Sequence, residues 1–323
     1  MNLPSADYDN PWKEALGEYF EQFLELCFPQ VHALIDWSQP PRSLDKELQQ
    51  IVREAESGKR IADKLFQVWQ RDGSQAWILV HVEVQSQEDA DFPKRMYQYH
   101  YRSFDLYERQ VISLAVLGDE RSNWRPSNYG YSLAGCELSF HFPIVKLLDY
   151  TDRWETLEQS NNPFAVLIMA HLKTKATTGK PIQRAEWKWY LVRGLYERGY
   201  DREEIRKLFR LVDWMMVLPE ELQQGFDRKL QQYEEEMQMP LLSHMELRAI
   251  ERGMEQGSKN AVRESVIEVL EVRFSEVPPE LVAILNNISD LAVLKQLHRE
   301  AIAINSIAEF QQLLPESQEN QDN

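Results

Sequence analysis

The chain has 323 residues, 36 of them basic and 52 acidic, for a formal net charge of −16, and 43% of its residues are apolar. That apolar share excludes global disorder and supports two or three compact units, and the acidity excludes a generally basic protein that coats duplex nucleic acid. Two cysteines, Cys27 and Cys136, are too few for a disulfide framework, and the chain has no Cys-x-x-Cys pair to hold zinc.

The opening MNLPSADYDNPWKE shows no basic start followed by an apolar run. The longest apolar stretches, 165–170 and 111–117, fall well short of a membrane span. A cytoplasmic protein with no membrane partner is therefore expected. In chain order, residues 11–28 read as an amphipathic helix. Asn10 can cap it, Pro11 suits its first turn, and Trp12, Ala15, Leu16, Tyr19, Phe20, Phe23, Leu24 and Cys27 recur at helical spacing. A linker rich in Pro and Ser (38–43) leads to a second helix at 44–55. From residue 61 the period becomes two: 61–70 alternates and 76–85 alternates more strongly, with Asp72-Gly73 as the turn between them. Residues 93–109 return to helical spacing, 111–117 reads as a buried strand, and 129–133 and 138–145 are strand-like.

After Asp149 the β pattern stops. Helices are expected at 164–173, 185–198, 203–211 and 219–238, then beyond Gly253 and Gly257 at 262–274, 279–285, 291–304 and 307–314. The resulting division is an α/β domain at 1–150, a helical extension at 151–256, a small helical domain at 257–314 and a disordered tail at 315–323.

The hairpin carries the chemistry. On its second strand Trp77, Leu79, His81, Glu83 and Gln85 share one face, and the β-branched Ile78, Val80, Val82 and Val84 share the other, which must be core. Phe66 and Val68 match the core side on the first strand, which leaves Asp63, Leu65 and Gln67 on the face of Glu83. A turn at Arg71-Asp72-Gly73, with Gly73 left-handed, opposes Gln70 to Ser74 and Asp63 to His81, diagonal to Glu83. A one-residue bulge would instead oppose Asp63 to Glu83 directly. Either way two acids converge with Cβ atoms roughly 5–8 Å apart. Alone they repel and are desolvated; a divalent cation reverses that penalty. Two carboxylates, the backbone carbonyl of Val84 and several waters suit octahedral Mg2+, with Mn2+ as a substitute, and such an ion can activate water beside a scissile phosphate.

Asp63 together with His81-Val82-Glu83-Val84-Gln85-Ser86-Gln87 resembles the core motif of the PD-(D/E)XK nuclease superfamily. More narrowly it is similar to the Rpn family of bacterial recombination-promoting nucleases, whose members also carry a transposase label. Asp9-Asn10-Pro11-Trp12-Lys13, Arg95-Met96-Tyr97-Gln98-Tyr99 and the blocks 92–102 and 112–119 stand at family-like spacing. Residues 262–314 resemble the small helical C-terminal domain of unknown function found in similar, often cyanobacterial, chains. The resemblance implies an α/β fold with a PD-(D/E)XK restriction-endonuclease-like core, a mixed sheet flanked by helices, followed by all-α C-terminal regions. It also implies a Mg2+-dependent endonuclease that hydrolyses phosphodiesters in DNA, with Asp63 and Glu83 as metal ligands.

The third signature position departs from the superfamily, where Lys is usual and Gln85 stands here. Glutamine can orient water or a phosphate oxygen but supplies neither charge nor a base. Lys13 is the candidate substitute cation, because Lys64 starts on the opposite strand face. Arg95, Tyr99 and Arg102 form one helical stripe and are candidates to hold the substrate phosphate. Residues 173–210, with eleven basic and five acidic side chains interleaved with Trp187, Trp189 and Tyr190, are the candidate electrostatic footprint for DNA.

Each feature has a plainer reading. His81 is an ordinary strand histidine, Arg95 and Arg102 pair with Asp91, Asp105 or Glu108, residues 173–210 form a salt-bridged helical surface, and both cysteines are buried as small apolar residues. For the whole chain the rival is an inactive nuclease-fold protein acting as an interaction module, favoured by the acidity and by Gln85. Transposition would need end recognition, and no helix-turn-helix or zinc finger pattern occurs. A homo-oligomer is compatible with the sequence, which does not fix the state.

Overall fold

The period-two stretch at 61–85 becomes the centre of a mixed sheet. The computed structural model describes residues 9–44, 48, 62–83, 90–237, 244–274, 277–288, 291–304 and 306–314, and for Asp63, His81 and Glu83 it describes the backbone alone. The sheet has the order β1 (Arg42–Ser43), β2 (Ala62–Trp69), β3 (Gln75–Glu83), β4 (Val111–Leu117) and β7 (Ile144–Lys146). The pairs β1–β2 and β2–β3 are antiparallel, and β3–β4 and β4–β7 are parallel. The hairpin turns as its residues dictate. Gly73 takes φ +84, the Gly73 N–H donates to the Gln70 carbonyl at 2.9 Å, and the Gln70 N–H donates to Ser74 O at 2.7 Å. Asp72 Oδ1 fixes the turn by accepting from the Ser74 N–H at 2.8 Å and from its hydroxyl at 2.6 Å. Asp63 is thereby paired with His81.

Helices cover both faces of the sheet. The expected helix at 11–28 is two helices, α1 (Asp9–Glu18) and α2 (Phe20–Cys27), because Tyr19 leaves helical geometry at φ −130, ψ 39. A short third helix, α3 (Pro29–His32), follows. The break lets Trp12 pack on Phe164 while Phe20 stacks on Phe66 of β2 at 3.8 Å between centroids. The opposite face is covered by α4 (Phe92–Tyr107): Tyr99 packs with Leu65, Phe92 and Met96 pack with Ala115 and Leu117, and His100 Nδ1 lies 3.1 Å from Ser113 Oγ. The strand expected at 138–145 divides where the buried Phe142 and the exposed Pro143 interrupt it. Its first part becomes β6 (Cys136–His141), which pairs with β5 (Asn128–Leu133) in a separate ribbon, and its last part becomes β7.

Tyr150 sits in the 3-10 turn Leu147–Thr151, and its hydroxyl donates to the Leu26 carbonyl at 3.3 Å. The helices that follow are α5 (Trp154–Gln159), α6 (Pro163–Ala176), α7 (Pro181–Glu197), α8 (Arg202–Met215) and α9 (Glu220–Glu236). Every residue from Pro163 to His171 is buried in α6, as expected of a helix apolar on all sides. Its neighbours are α2, α5, α7 and α8, so Met1–Leu241 forms one compact unit. The second unit is Leu242–Asn323. It holds α10 (His244–Phe274), which runs unbroken through Gly253 and Gly257, with α11 (Pro279–Asn287), α12 (Leu291–Ala303) and α13 (Ile307–Gln311). Val266, Leu270, Leu281, Leu285, Leu294 and Phe310 are among its core residues.

Most of the helix expected at 44–55 and the tail at 315–323 lie outside the described residues. Cys27 is buried as expected. Cys136 is instead exposed, because it follows the tight turn at the ribbon tip.

Candidate active site

Three strands carry the candidate face. Asp63 is opposite His81, His81 is opposite Ala115, and Glu83 is opposite Leu117. By strand alternation the odd-numbered positions of β2, β3 and β4 therefore share one side of the sheet, the side that α4 covers. The buried stripe of α4 is Phe92, Arg95, Met96, Tyr99 and Ser103. Arg95 is buried in it, with its guanidinium carbon 5.9 Å from the Phe92 ring centre, at the end of the helix that packs on Leu117. The structure thus brings Arg95 to the side of the sheet that carries positions 63 and 83.

Tyr99 is 1% exposed and packs with Leu44, Leu48 and Leu65, so it serves packing. Arg102 is half-buried, off that stripe, with its Nε–H directed at Tyr101 Oη at 3.5 Å. Lys13 is half-buried on α1, in the layer beneath the Phe66 face, across the sheet from α4. Val84 and Gln85 lie outside the described residues.

A second polar group closes the carboxyl ends of β4 and β7, next to the end of β3, and sequence reading did not assign it. Lys146 on β7 is in register with Leu117 and forms a buried ion pair with Asp119, two residues past β4. Lys146 Nζ also donates to Trp124 O at 3.3 Å, and Asp119 Oδ1 accepts from the Arg121 N–H at 2.9 Å. The legible signal was a lysine closing an otherwise apolar three-residue strand.

His171 is fully buried beside it. Its Nδ1 accepts from Trp12 Nε1–H at 3.3 Å, and its Nε2–H donates to Gly118 O at 3.1 Å. Those roles require the neutral ring, and burial pushes its pKa down to about 3. The unfolded chain binds this proton near pH 6.5, so the histidine's contribution is complete above that pH and is lost as pH falls toward 3. Unfolding by denaturant is expected to show stability falling by up to about 1.4 kcal/mol per pH unit across that window, and His171→Gln should flatten the dependence. A cavity of about 290 Å³ opens here between Gly118, Asp119, Thr151, Trp154, His171 and Lys175.

The basic excess at 173–210 does not form an open electrostatic footprint, because most of it is engaged within the first unit. Lys173 lies between the rings of Trp154 and Trp187, at 4.0 and 3.6 Å from their centres. Buried Arg184 donates to Thr177 Oγ1 at 3.2 Å and to Thr174 O at 3.0 Å. Buried Lys188 pairs with Asp213 at 2.5 Å, Lys207 with Glu18 at 3.1 Å and Glu203 at 3.0 Å, and Arg210 with Glu14. Arg193 pairs with Glu197 at 3.0 Å, and Arg198 donates to Ser160 O at 3.2 Å.

Among the described residues no three His, Cys, Asp or Glu side chains gather to hold a metal ion; the side chains of Asp63 and Glu83 are not among those described. No described helix is long and apolar enough to cross a membrane. Fold and site together define an α/β protein with a mixed sheet between helices and a second, helical unit. No family model, curated protein or solved structure matches this chain.

Proposed function

We propose that this chain is a Mg2+-dependent DNA endonuclease of the recombination-promoting type, with a PD-(D/E)XK-like core, acting in the cytoplasm. The observation that carries the reading is the backbone register of β2 and β3: Asp63 is opposite His81, so positions 63 and 83 are diagonal neighbours of one parity, at the strand ends where β4 runs parallel beside them. Diagonal neighbours across a hairpin are close enough for one ion to bridge two carboxylates, and hard oxygen donors suit Mg2+. Asp63, Glu83 and the Val84 carbonyl would hold the ion, Gln85 would orient water or a phosphate oxygen, and Arg95, on the same side of the sheet, would hold the phosphate charge. The bound ion supplies charge neutralisation at the phosphate and a more acidic water.

Supercoiled plasmid incubated with purified protein and Mg2+ should be nicked, EDTA should stop the reaction, and Asp63→Ala should slow it by at least about a hundredfold. Nicking at the wild-type rate after either change rejects the site. A second reading, an inactive nuclease-fold interaction module, is favoured by Gln85 and by the internal use of the basic side chains at 173–210. Calorimetric titration with Mg2+ separates the two: no heat of binding at millimolar metal supports the module.

A further inference from the structure

Among the described residues β5 and β6 pair only with each other, through a turn in which Ala134 and Gly135 take φ +50 and +84. Tyr129 lies opposite Phe140, Tyr131 opposite Leu138 and Leu133 opposite Cys136, so these side chains share one face of the ribbon. The base of that face is covered. Tyr129 stacks on Tyr97 of α4 at 5.4 Å between centroids, and Phe140 lies 4.6 Å from the His100 ring. Its outer part is bare: Tyr131 is 52% and Leu133 73% exposed. The helix continues the same surface. Tyr97 meets Tyr101 at 5.3 Å, and Tyr101 and Phe104 are 39% and 55% exposed. Burial first, then the nearby phenols of Tyr131, Tyr101 and Tyr129, raise the pKa of Tyr97, so the rings of helix and ribbon form one continuous patch.

The size of the patch matches what a dimer needs. At about 200 Å² for a whole large side chain, the exposed parts of Tyr101, Phe104, Tyr131 and Leu133 leave roughly 400 Å² bare on each chain, within the range of patches that serve as contact sites. Two copies face to face would cover roughly 800 Å² of it. At the ~65% apolar share of homodimer contacts, that core implies a total of about 1,200 Å², enough for a specific interface.

Charge selects the occupant. Arg95 is buried on the sheet side of α4, and the remaining charges of α4 and the ribbon, Lys94 and Arg102 against Asp105 and Glu137, cancel in a chain of net charge −16. A neutral face attracts neither a polyanion nor a polycation, and it is where two acidic copies meet with least repulsion. The order of the charges is also self-complementary. Lys94, Tyr97, Tyr101 and Asp105 follow at helical spacing along one side of α4, so opposite charges bracket the rings. Lys94 and Asp105 are exposed, and neither has an ion-pair partner among the described residues. A two-fold axis near the middle of the helix sets Lys94 of each copy against Asp105 of the other, with the rings between them. We infer that a second copy of this chain covers the aromatic face of α4 and the β5–β6 ribbon, in a two-fold dimer that pairs Lys94 with Asp105. This does not depend on the nuclease reading.

Size-exclusion chromatography with light scattering tests this on the full chain. At sub-millimolar concentration wild-type protein should have twice the mass of one chain. Leu133→Ser and Tyr131→Ser should each raise the dissociation constant about tenfold or more, and circular dichroism matching wild type would show them folded. Lys94→Asp and Asp105→Lys should each dimerise at least about tenfold more weakly, because each copy then meets its own charge twice. An equimolar mixture of those two variants should dimerise like wild type, since both contacts again join opposite charges. The mass of a single chain at every concentration overturns the inference, as does a dimer that the serine variants leave intact. A mixture of the two charge variants that stays monomeric overturns it too. So does a monomer that binds a fluorescent oligo-dT through Tyr131, because the face would then serve another occupant.

Discussion

Asp119→Ala is expected to destabilise the first unit by about 3–5 kcal/mol, the cost of leaving a buried ammonium without its counter-charge. The side chains of Lys146 and Asp119 are 0% and 2% exposed, so the variant leaves a desolvated ammonium without its counter-charge. The remaining partners of Lys146, the Trp124 carbonyl and the face of its ring 5.6 Å away, are neutral and compensate little. For a unit of this size the loss corresponds to a fall in Tm of roughly 6–20 °C. Removing both charges is different: Asp119→Leu with Lys146→Met should lie much closer to wild type, because neither ion then remains desolvated. Thermal unfolding of the single and double variants checks both statements, and a single variant within 1 kcal/mol of wild type would show that the pair is hydrated in solution.

Asp63→Ala should reduce Mg2+-dependent nicking by about 10²–10³-fold or more, the scale seen when a group that stabilises transition-state charge is removed. Glu83→Gln should act similarly, since it keeps the side chain's size and removes its charge. Stability should change little or rise in both variants, because two acids on one face repel in the absence of metal. That opposition of activity and stability distinguishes the site from a merely structural cluster. Asp119→Asn, two residues past the neighbouring strand, should lose stability first. Loss of cleavage in the Asp63 variant accompanied by unfolding would instead mark a structural role.

The hairpin was legible because it depends only on local rules. Period two, one left-handed glycine and the Asx turn at Asp72 fix the register that pairs Asp63 with His81. The helix at α4 and the strand at β4 were legible for the same reason. What was not legible depends on contacts distant in sequence. Spacing alone does not reveal that Tyr19 breaks a helix so that Phe20 can stack on Phe66, or that Phe142 ends a strand to join Phe92 in the core. A charge count cannot tell an open basic surface from one whose partners, Glu14, Glu18 and Asp213, lie on other helices. The burial of Arg95 on the side of α4 that faces β4 was half visible: the stripe could be read, but not which side of the sheet it would cover.

The most direct test of a shared metal at Asp63 and Glu83 is Mn2+ titration followed by electron paramagnetic resonance, which counts free ion without requiring turnover. Wild-type protein should remove about one Mn2+ per chain from solution, Mg2+ should release it, and Asp63→Ala and Glu83→Ala should each abolish uptake while Lys13→Ala retains it. Equal uptake by all four proteins, or none by the wild type, would contradict the account.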